Sequence, residues 1–175
     1  MATKLENLPL QIAHFNRIQR YLGTEFLCQR TIKWLLTEGM IEVSTAFEKA
    51  IERVGQIRLV SEDAYDFEDH SDAKLSSVRT CSYGTVYSAP VSSFQGKIGL
   101  LRVQVYERKK DQFYYFVIPN AAYSQLSPKS TIELRFELDG TPMRQPRRQR
   151  RINFWDYEVQ TFEEMACSQR SNYTR

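Results

Sequence analysis

The N-terminal part of the chain places apolar residues at helical spacing. Between Asn16 and Glu38 they recur every three or four positions, which predicts a helix, with Gly23–Thr24 as the point where it can break. Gly39 is a suitable residue to end this segment. Residues 1–15 lack the same periodicity, and we expect them to form an arm.

A second helix is predicted to begin at Thr45. The sequence Thr45-x-x-Glu48 has the spelling of a capping box, in which the glutamate bonds back to the backbone at the start of the helix. An amphipathic stripe follows at spacings of three and four, formed by Phe47, Ala50, Ile51 and Val54. Gly55 is expected to end this helix.

After Gly55 the pattern changes to that of β-strands. Strands are predicted over 56–60, 72–80, 100–106, 112–118 and 132–138. The clearest signal is the hairpin formed by 100–106 and 112–118, joined by the charged turn ERKKD and stopped by Pro119. We expect 82–99 to be a loop or irregular hairpin and 120–126 to contain one helical turn.

Helices followed by four or five strands predict an α+β or mixed α/β fold with a central mixed sheet. A chain of 175 residues has room for one core, and neither a linker nor a repeat is visible. We therefore predict a single domain over 1–175. Its parts are a helical N-terminal part (1–60), a sheet core (61–139) and a basic loop with a docking tail (140–175).

Composition narrows the class of protein. No apolar run has membrane-spanning length, and the first residues do not resemble a signal peptide. The 3 cysteines are far apart and there are only 2 histidines, which disfavours a structural zinc site or a disulfide framework. These features favour a cytoplasmic, reduced protein.

The formal net charge of +3 conceals two opposite concentrations of charge. The acidic segment contains Glu62, Asp63, Asp66, Glu68, Asp69 and Asp72. The basic segment contains Arg144, Arg147, Arg148, Arg150 and Arg151. Carboxylates this dense are either solvated or neutralised by a cation, whereas the arginines must face water or a polyanion.

Asp72 and Lys74 form the motif most suggestive of chemistry. They are two residues apart on a predicted strand, so their side chains point to the same face. Hard cations such as Mg²⁺ take carboxylate oxygens, and a bound ion polarises a phosphoryl oxygen and activates water. A neighbouring lysine can orient that water or neutralise charge in the transition state.

This arrangement resembles the PD-(D/E)xK nuclease superfamily over roughly residues 21–123. Asp72 and Lys74 match its D-x-K pair, Asp66 in YDFED or the preceding Asp63 matches the earlier acid, and Glu25 in GTEFL matches a helix carboxylate. The segment VYERKKDQFYYFVIP also resembles the strand pair that follows the signature in several such nucleases. The resemblance implies an Mg²⁺-dependent DNA endonuclease with catalytic Asp66, Asp72, Lys74 and Glu25, in which Asp66 and Asp72 hold the metal.

A second choice of signature is Glu107-Arg108-Lys109, with Asp72 as the first acid. It ranks below the first because Glu107 falls where the charged turn begins, whereas a catalytic pair should lie within the sheet.

The expected substrate is double-stranded DNA. The residues expected to contact it are Tyr83, Tyr87, Arg144, Arg147, Arg148, Arg150 and Arg151. A site-specific duplex cutter of the restriction or homing type is expected to act as a homodimer or higher homo-oligomer, because one such site cleaves one strand. The alternatives are a non-catalytic nucleic-acid-binding module with a solvated acidic loop, and a protein-interaction domain with an aromatic face.

Overall fold

The fold begins with three helices. The structure is a computed structural model, and it describes residues 7–25, 27–62, 64–80, 84, 86–127, 130–145 and 152–169. The helices are α1 (Leu8–Leu22), α2 (Gln29–Thr37) and α3 (Val43–Gly55). Gly23 ends α1 in the left-handed conformation, at φ 72°, which confirms the predicted break. The expected arm is wrong for residues 8–15, because Pro9 lies in the first turn of α1, and Leu8 and Phe15 are buried.

Helix α3 begins two residues earlier than predicted. Glu42 is its N-cap, and no side chain caps the helix, so the capping box of Thr45 and Glu48 is wrong. Glu48 instead lies in the second turn, where it is partly buried. The predicted apolar stripe is confirmed, since Phe47 and Ile51 lie in the core.

The remaining elements are mainly strands. In chain order they are β1 (Leu59–Glu62), β2 (Tyr65–Phe67), β3 (Asp72–Ser77), β4 (Arg79–Thr80), β5 (Tyr87–Val91), β6 (Leu101–Glu107), β7 (Gln112–Ile118), α4 (Asn120–Tyr123), β8 (Ile132–Phe136), a 3-10 turn (Phe154–Tyr157), β9 (Glu158–Val159) and α5 (Phe162–Cys167). The hairpin β6–β7 and the helical turn α4 are as predicted. The segment expected to be a loop or irregular hairpin contains β5, which pairs on both sides.

The strands form a four-stranded mixed sheet and two smaller sheets. The central sheet has the order β3-β6-β7-β9, with β3 parallel to β6 and the other neighbours antiparallel. Strands β4, β5 and β8 form an antiparallel sheet, and β1 pairs with β2. This α+β architecture with a central mixed sheet and N-terminal helices confirms the predicted fold class.

The central sheet is covered on both faces. Tyr115 and Val117 of β7 pack with the helices, in a core that includes Phe15, Ile51 and Phe162. Phe116 and Ile118, on the opposite face, pack with the three-stranded sheet. The fold therefore has three layers, namely helices, central sheet and second sheet, and no helix in the described ranges is long and apolar enough to cross a membrane.

Strand β3 is the edge of the central sheet, and this position determines the setting of the site. Ala73 and Leu75 face the helix-side core, so Asp72, Lys74 and Ser76 face the other way, where the Ser76 hydroxyl bonds the Pro90 carbonyl of β5. The free edge of β3 lies beside β2 and near α3. Residues from three elements can therefore meet at the first residues of this strand.

Candidate active site

Asp72, the first residue of β3, is the centre of the site. Its side chain is 2% exposed, and its two oxygens lie 2.5 Å from Lys74 Nζ and 2.7 Å from Lys97 Nζ. A carboxylate removed from water must be paired, and two ammonium groups do this here. The contact between Asp72 and Lys74 is the one expected from their spacing.

Asp66, on the neighbouring strand β2, joins this pair. Its Oδ2 accepts a hydrogen bond of 2.8 Å from the Ala73 backbone, and its carboxyl group is within hydrogen-bonding reach of Asp72. Burial raises the pKa of Asp66, the bond from Ala73 lowers it, and the charge of Asp72 raises it again. The structure thus brings together Asp66, Asp72 and Lys74, whereas Asp63 lies outside the described residues.

The helix carboxylate whose charge interacts with this cluster is Glu48 of α3. Burial, followed by the negative charges of Asp66 and Asp72, raises the pKa of Glu48 to about 7, while Lys74 opposes the shift. Glu25 does not have the expected position, because α1 ends at Gly23 and leaves Glu25 exposed in the turn before α2. Glu48 follows Phe47 of the apolar stripe of α3, so the sequence could have placed it close to the core. Its assignment to a capping box with Thr45 prevented that interpretation.

Lys97 is the second residue that sequence reasoning missed. It lies in the loop 92–99, between β5 and β6, where its carbonyl accepts a bond of 3.1 Å from the Asn120 side chain and its amide bonds Phe94 O at 3.0 Å. The Phe94 ring packs edge-on against Tyr123 at 5.6 Å, and the Tyr123 hydroxyl bonds Gly99 O at 2.7 Å. These contacts fix the backbone from which Lys97 reaches Asp72. No periodicity or motif in the loop indicates this role.

The oxygen donors of the site suit a hard cation. Mg²⁺ is commonly held by one or two carboxylates together with water and substrate phosphate, and Asp66 and Asp72 supply such a pair. Within the part of the chain that the structure describes, no three Asp, Glu, His or Cys residues are grouped closely enough to hold a metal ion together. A metal site here would therefore rest on the two aspartates, with Glu48 beside them.

The alternative signature at Glu107 has a different role. Glu107 is fully buried and accepts bonds from the Tyr87 hydroxyl and from the backbone amides of Lys109 and Lys110, at 3.0 and 2.8 Å for the two amides. Lys109 Nζ contacts the Leu138 carbonyl and lies 4.2 Å from the Tyr87 ring centre. Glu107 therefore closes the β6–β7 turn, and Lys109 is not placed as its catalytic partner.

Two of the residues expected to contact DNA are described by the structure. The expectation is wrong for Tyr87, which is 1% exposed in the core between the sheets and bonded to Glu107. Arg144 is exposed but holds Glu158 through bonds of 2.8 and 2.9 Å. The others, Tyr83, Arg147, Arg148, Arg150 and Arg151, lie outside the described residues.

A cleft of about 690 Å³ lies along the second half of β3, and none of the charged residues of the site lines it. It lies between α1, the start of α3 and β5, and its lining includes Ser76, Ser77, Arg79 and Ser92. Ser76 follows Lys74 by two residues on β3, which separates their backbones by about 7 Å along the strand. The lining of the cleft includes serine hydroxyl groups and a guanidinium group, both suited to phosphate oxygens, together with apolar side chains and the Glu42 carboxylate.

Comparisons of this chain with known protein families, with curated proteins and with solved structures found no match.

Proposed function

We propose that this protein is a divalent-metal-dependent endodeoxyribonuclease that hydrolyses phosphodiester bonds in double-stranded DNA. The observation that carries the proposal is the grouping of Asp66, Asp72 and Lys74 at one end of an edge strand, with Glu48 of α3 near enough to feel their charges. These residues come from a helix and two strands. Asp66, Asp72 and Lys74 are the residues that the resemblance named, whereas the helix carboxylate is Glu48 and not the expected Glu25.

In the proposed reaction, water attacks phosphorus, one P–O ester bond breaks, and the leaving oxygen takes up a proton. Asp66 and Asp72 would hold a Mg²⁺ ion, which supplies polarisation of the phosphoryl oxygen and activation of water. The Lys74 ammonium neutralises charge that develops on the phosphate. The Glu48 carboxylate accepts a hydrogen bond from the attacking water and orients it.

The substrate is inferred from the cleft and from the basic segment. Arg79 and the serines along β3 would contact the strand beside the cleaved bond, and the arginines of 144–151 would contact the duplex further away. Cleavage of both strands requires two sites, which favours a homodimer or higher homo-oligomer for a site-specific enzyme.

The test is cleavage of supercoiled plasmid and of a broad panel of linear duplexes, with Mg²⁺ or Mn²⁺ and with a chelator as control. Asp72→Asn, Lys74→Met and Glu48→Gln are each expected to lower the rate by about 100-fold or more. Glu25→Gln is the matched control, because this carboxylate is exposed outside the site and its loss should leave the rate unchanged. Wild-type rates in Asp72→Asn and Lys74→Met would overturn the assignment.

A binding module without catalysis is the second candidate, and one observation favours it. Both oxygens of Asp72 are neutralised by lysines, so the cluster is electrostatically paired without any ion. Such a protein would bind duplex DNA with a strong salt dependence and cut none of the panel with either metal. Measured binding without cleavage would therefore select this function.

A further inference from the structure

The Asp72 carboxylate has two oxygens, and an ammonium group already faces each of them. A divalent ion such as Mg²⁺ binds a carboxylate oxygen at about 2.0–2.1 Å and takes the place of other cations there. An ion on Asp72 therefore requires that one lysine withdraw, since an ammonium group and a divalent ion on one oxygen repel each other strongly.

The positions of the two lysines indicate which of them withdraws. Lys74 contacts Asp72 Oδ2 from the same strand and, in the proposed reaction, stays at the site to neutralise the phosphate. Lys97 contacts the other oxygen, Oδ1, from a separate loop. Lys97 is therefore the lysine that an ion on Asp72 would replace.

Lys97 can leave Asp72 without a change in the fold, because its backbone is held by hydrogen bonds while its side chain is long. The bonds to Asn120 and Phe94 fix the loop, so withdrawal requires rotation about the bonds of a four-carbon stem and no loop rearrangement. Its side chain is 13% exposed and is therefore not completely enclosed by protein.

We propose that Lys97 is the built-in counterion of the metal site, and that a divalent cation displaces its ammonium group from Asp72. This inference rests on the proposed metal site. Lys97 thereby keeps Asp72 neutralised before the ion binds, and lowers the affinity for the ion by competing with it.

The test compares wild type with Lys97→Met, which nearly keeps the length of the side chain and removes its charge. Mn²⁺ binding, measured by calorimetry in the absence of DNA, is expected to be about tenfold tighter or more in the variant. Lys110→Met is the matched control, because Lys110 is exposed in the β6–β7 turn and bonds Thr141; its Mn²⁺ affinity should equal that of wild type. Equal or weaker Mn²⁺ binding by Lys97→Met would overturn the proposal.

A second measurement uses wild type and does not depend on the folding of a variant. Acetylation of each lysine by acetic anhydride is followed by mass spectrometry with and without Ca²⁺. Displacement predicts that Lys97 reacts several-fold faster when the ion is present, with Lys110 unchanged. An unchanged or slower reaction of Lys97 contradicts it.

The outcomes also separate this inference from the proposed function. Cleavage that depends on Asp72, together with unchanged metal affinity in Lys97→Met, would remove the inference and leave the nuclease. Tighter Mn²⁺ binding by Lys97→Met, without cleavage of any DNA by wild type, would remove the nuclease and leave the exchange.

Discussion

His14 is a buried ionisable side chain whose two ring nitrogens both have polar partners, and this environment determines its protonation. The Gln104 side chain donates to His14 Nδ1 at 2.9 Å, which leaves the ring proton on Nε2, 3.1 Å from the Ser77 hydroxyl. Burial lowers the pKa of His14 to about 4. The ring is therefore neutral in the folded protein at any pH near neutrality.

His14 should make stability depend on pH. Between about pH 6.5 and pH 4 the unfolded chain binds a proton at His14 that the folded protein does not, so the free energy of unfolding falls as the pH falls. The expected loss over this range is about 3 kcal/mol. Urea unfolding at pH 7.5 to 4.5 measures it, and His14→Gln should remove this part of the slope. Parallel curves for the two proteins would show that the His14 pKa is not lowered.

At the same scale, the sequence located part of the site and missed the rest. The two-residue period of a strand is sufficient to place Asp72 and Lys74 on one face, and the resemblance to PD-(D/E)xK nucleases named Asp66, with Asp63 as the alternative. Glu48 and Lys97 reach the cluster only through the packing of α3 and of the loop 92–99, which short-range patterns do not encode. Tyr87 was predicted to contact DNA but lies in the core. Residue type alone could not decide between these positions, because tyrosine occurs in both.

The elements differ in how far local pattern predicts them. The hairpin β6–β7 combines a two-residue alternation of side chains, a charged turn and a terminal proline. Its predicted strand bounds differ from those of the structure by at most one residue. Strand β5 lies in the segment 82–99, whose content of Ser, Gly and Tyr predicts a loop or irregular hairpin, and it also contains Pro90, a residue rare in inner strands. The structure tolerates Pro90 because β4 has only two residues and pairs with Tyr87 and Ser88, so β4 does not extend as far as Pro90.

The loop 92–99 depends on close contact at Gly99. A Cβ atom there would lie 2.1 Å from the His70 carbonyl oxygen, which belongs to the backbone and cannot rotate away as a side chain could. Gly99→Ala is therefore expected to lower the free energy of unfolding by about 2 kcal/mol and to displace the loop that carries Lys97. Chemical denaturation measures the first effect. Plasmid cleavage, if the nuclease proposal holds, should fall with it.

Gly96→Ala is the control for that substitution. Gly96 has φ 77° but open space around it, so the cost is that of backbone strain alone, about 1 kcal/mol. An effect of Gly99→Ala no larger than that of Gly96→Ala would show that the neighbouring backbone yields easily.

On the scale of the whole molecule, the proposed binding of DNA involves two regions, the cleft and the basic segment. The described site has nearly balanced charge, so long-range attraction to DNA must come mainly from the arginines of 144–151. Replacement of Arg147, Arg148, Arg150 and Arg151 by Gln should weaken DNA binding. The slope of log affinity against log salt should become shallower by up to about 0.9 for each phosphate that these arginines neutralise in wild type.

Fluorescence anisotropy with a labelled duplex, at several salt concentrations, measures this slope. Lys109→Gln with Lys110→Gln serves as the control, because it removes exposed positive charge at the β6–β7 turn instead. A slope equal to that of wild type in the arginine variant would show that the basic segment does not bind phosphate.

Arg102 ties the middle of the chain to its last described helix. It is fully buried on β6 and bonds Ser71 Oγ at 2.5 Å, Asp69 Oδ2 at 3.0 Å and, just beyond α5, the Ser168 carbonyl at 2.5 Å. During synthesis, the guanidinium group lacks this last acceptor until residue 168 has left the ribosome. The central sheet therefore cannot complete its buried bonds before residue 168 is available, so the last step in folding this sheet waits for the segment that follows α5.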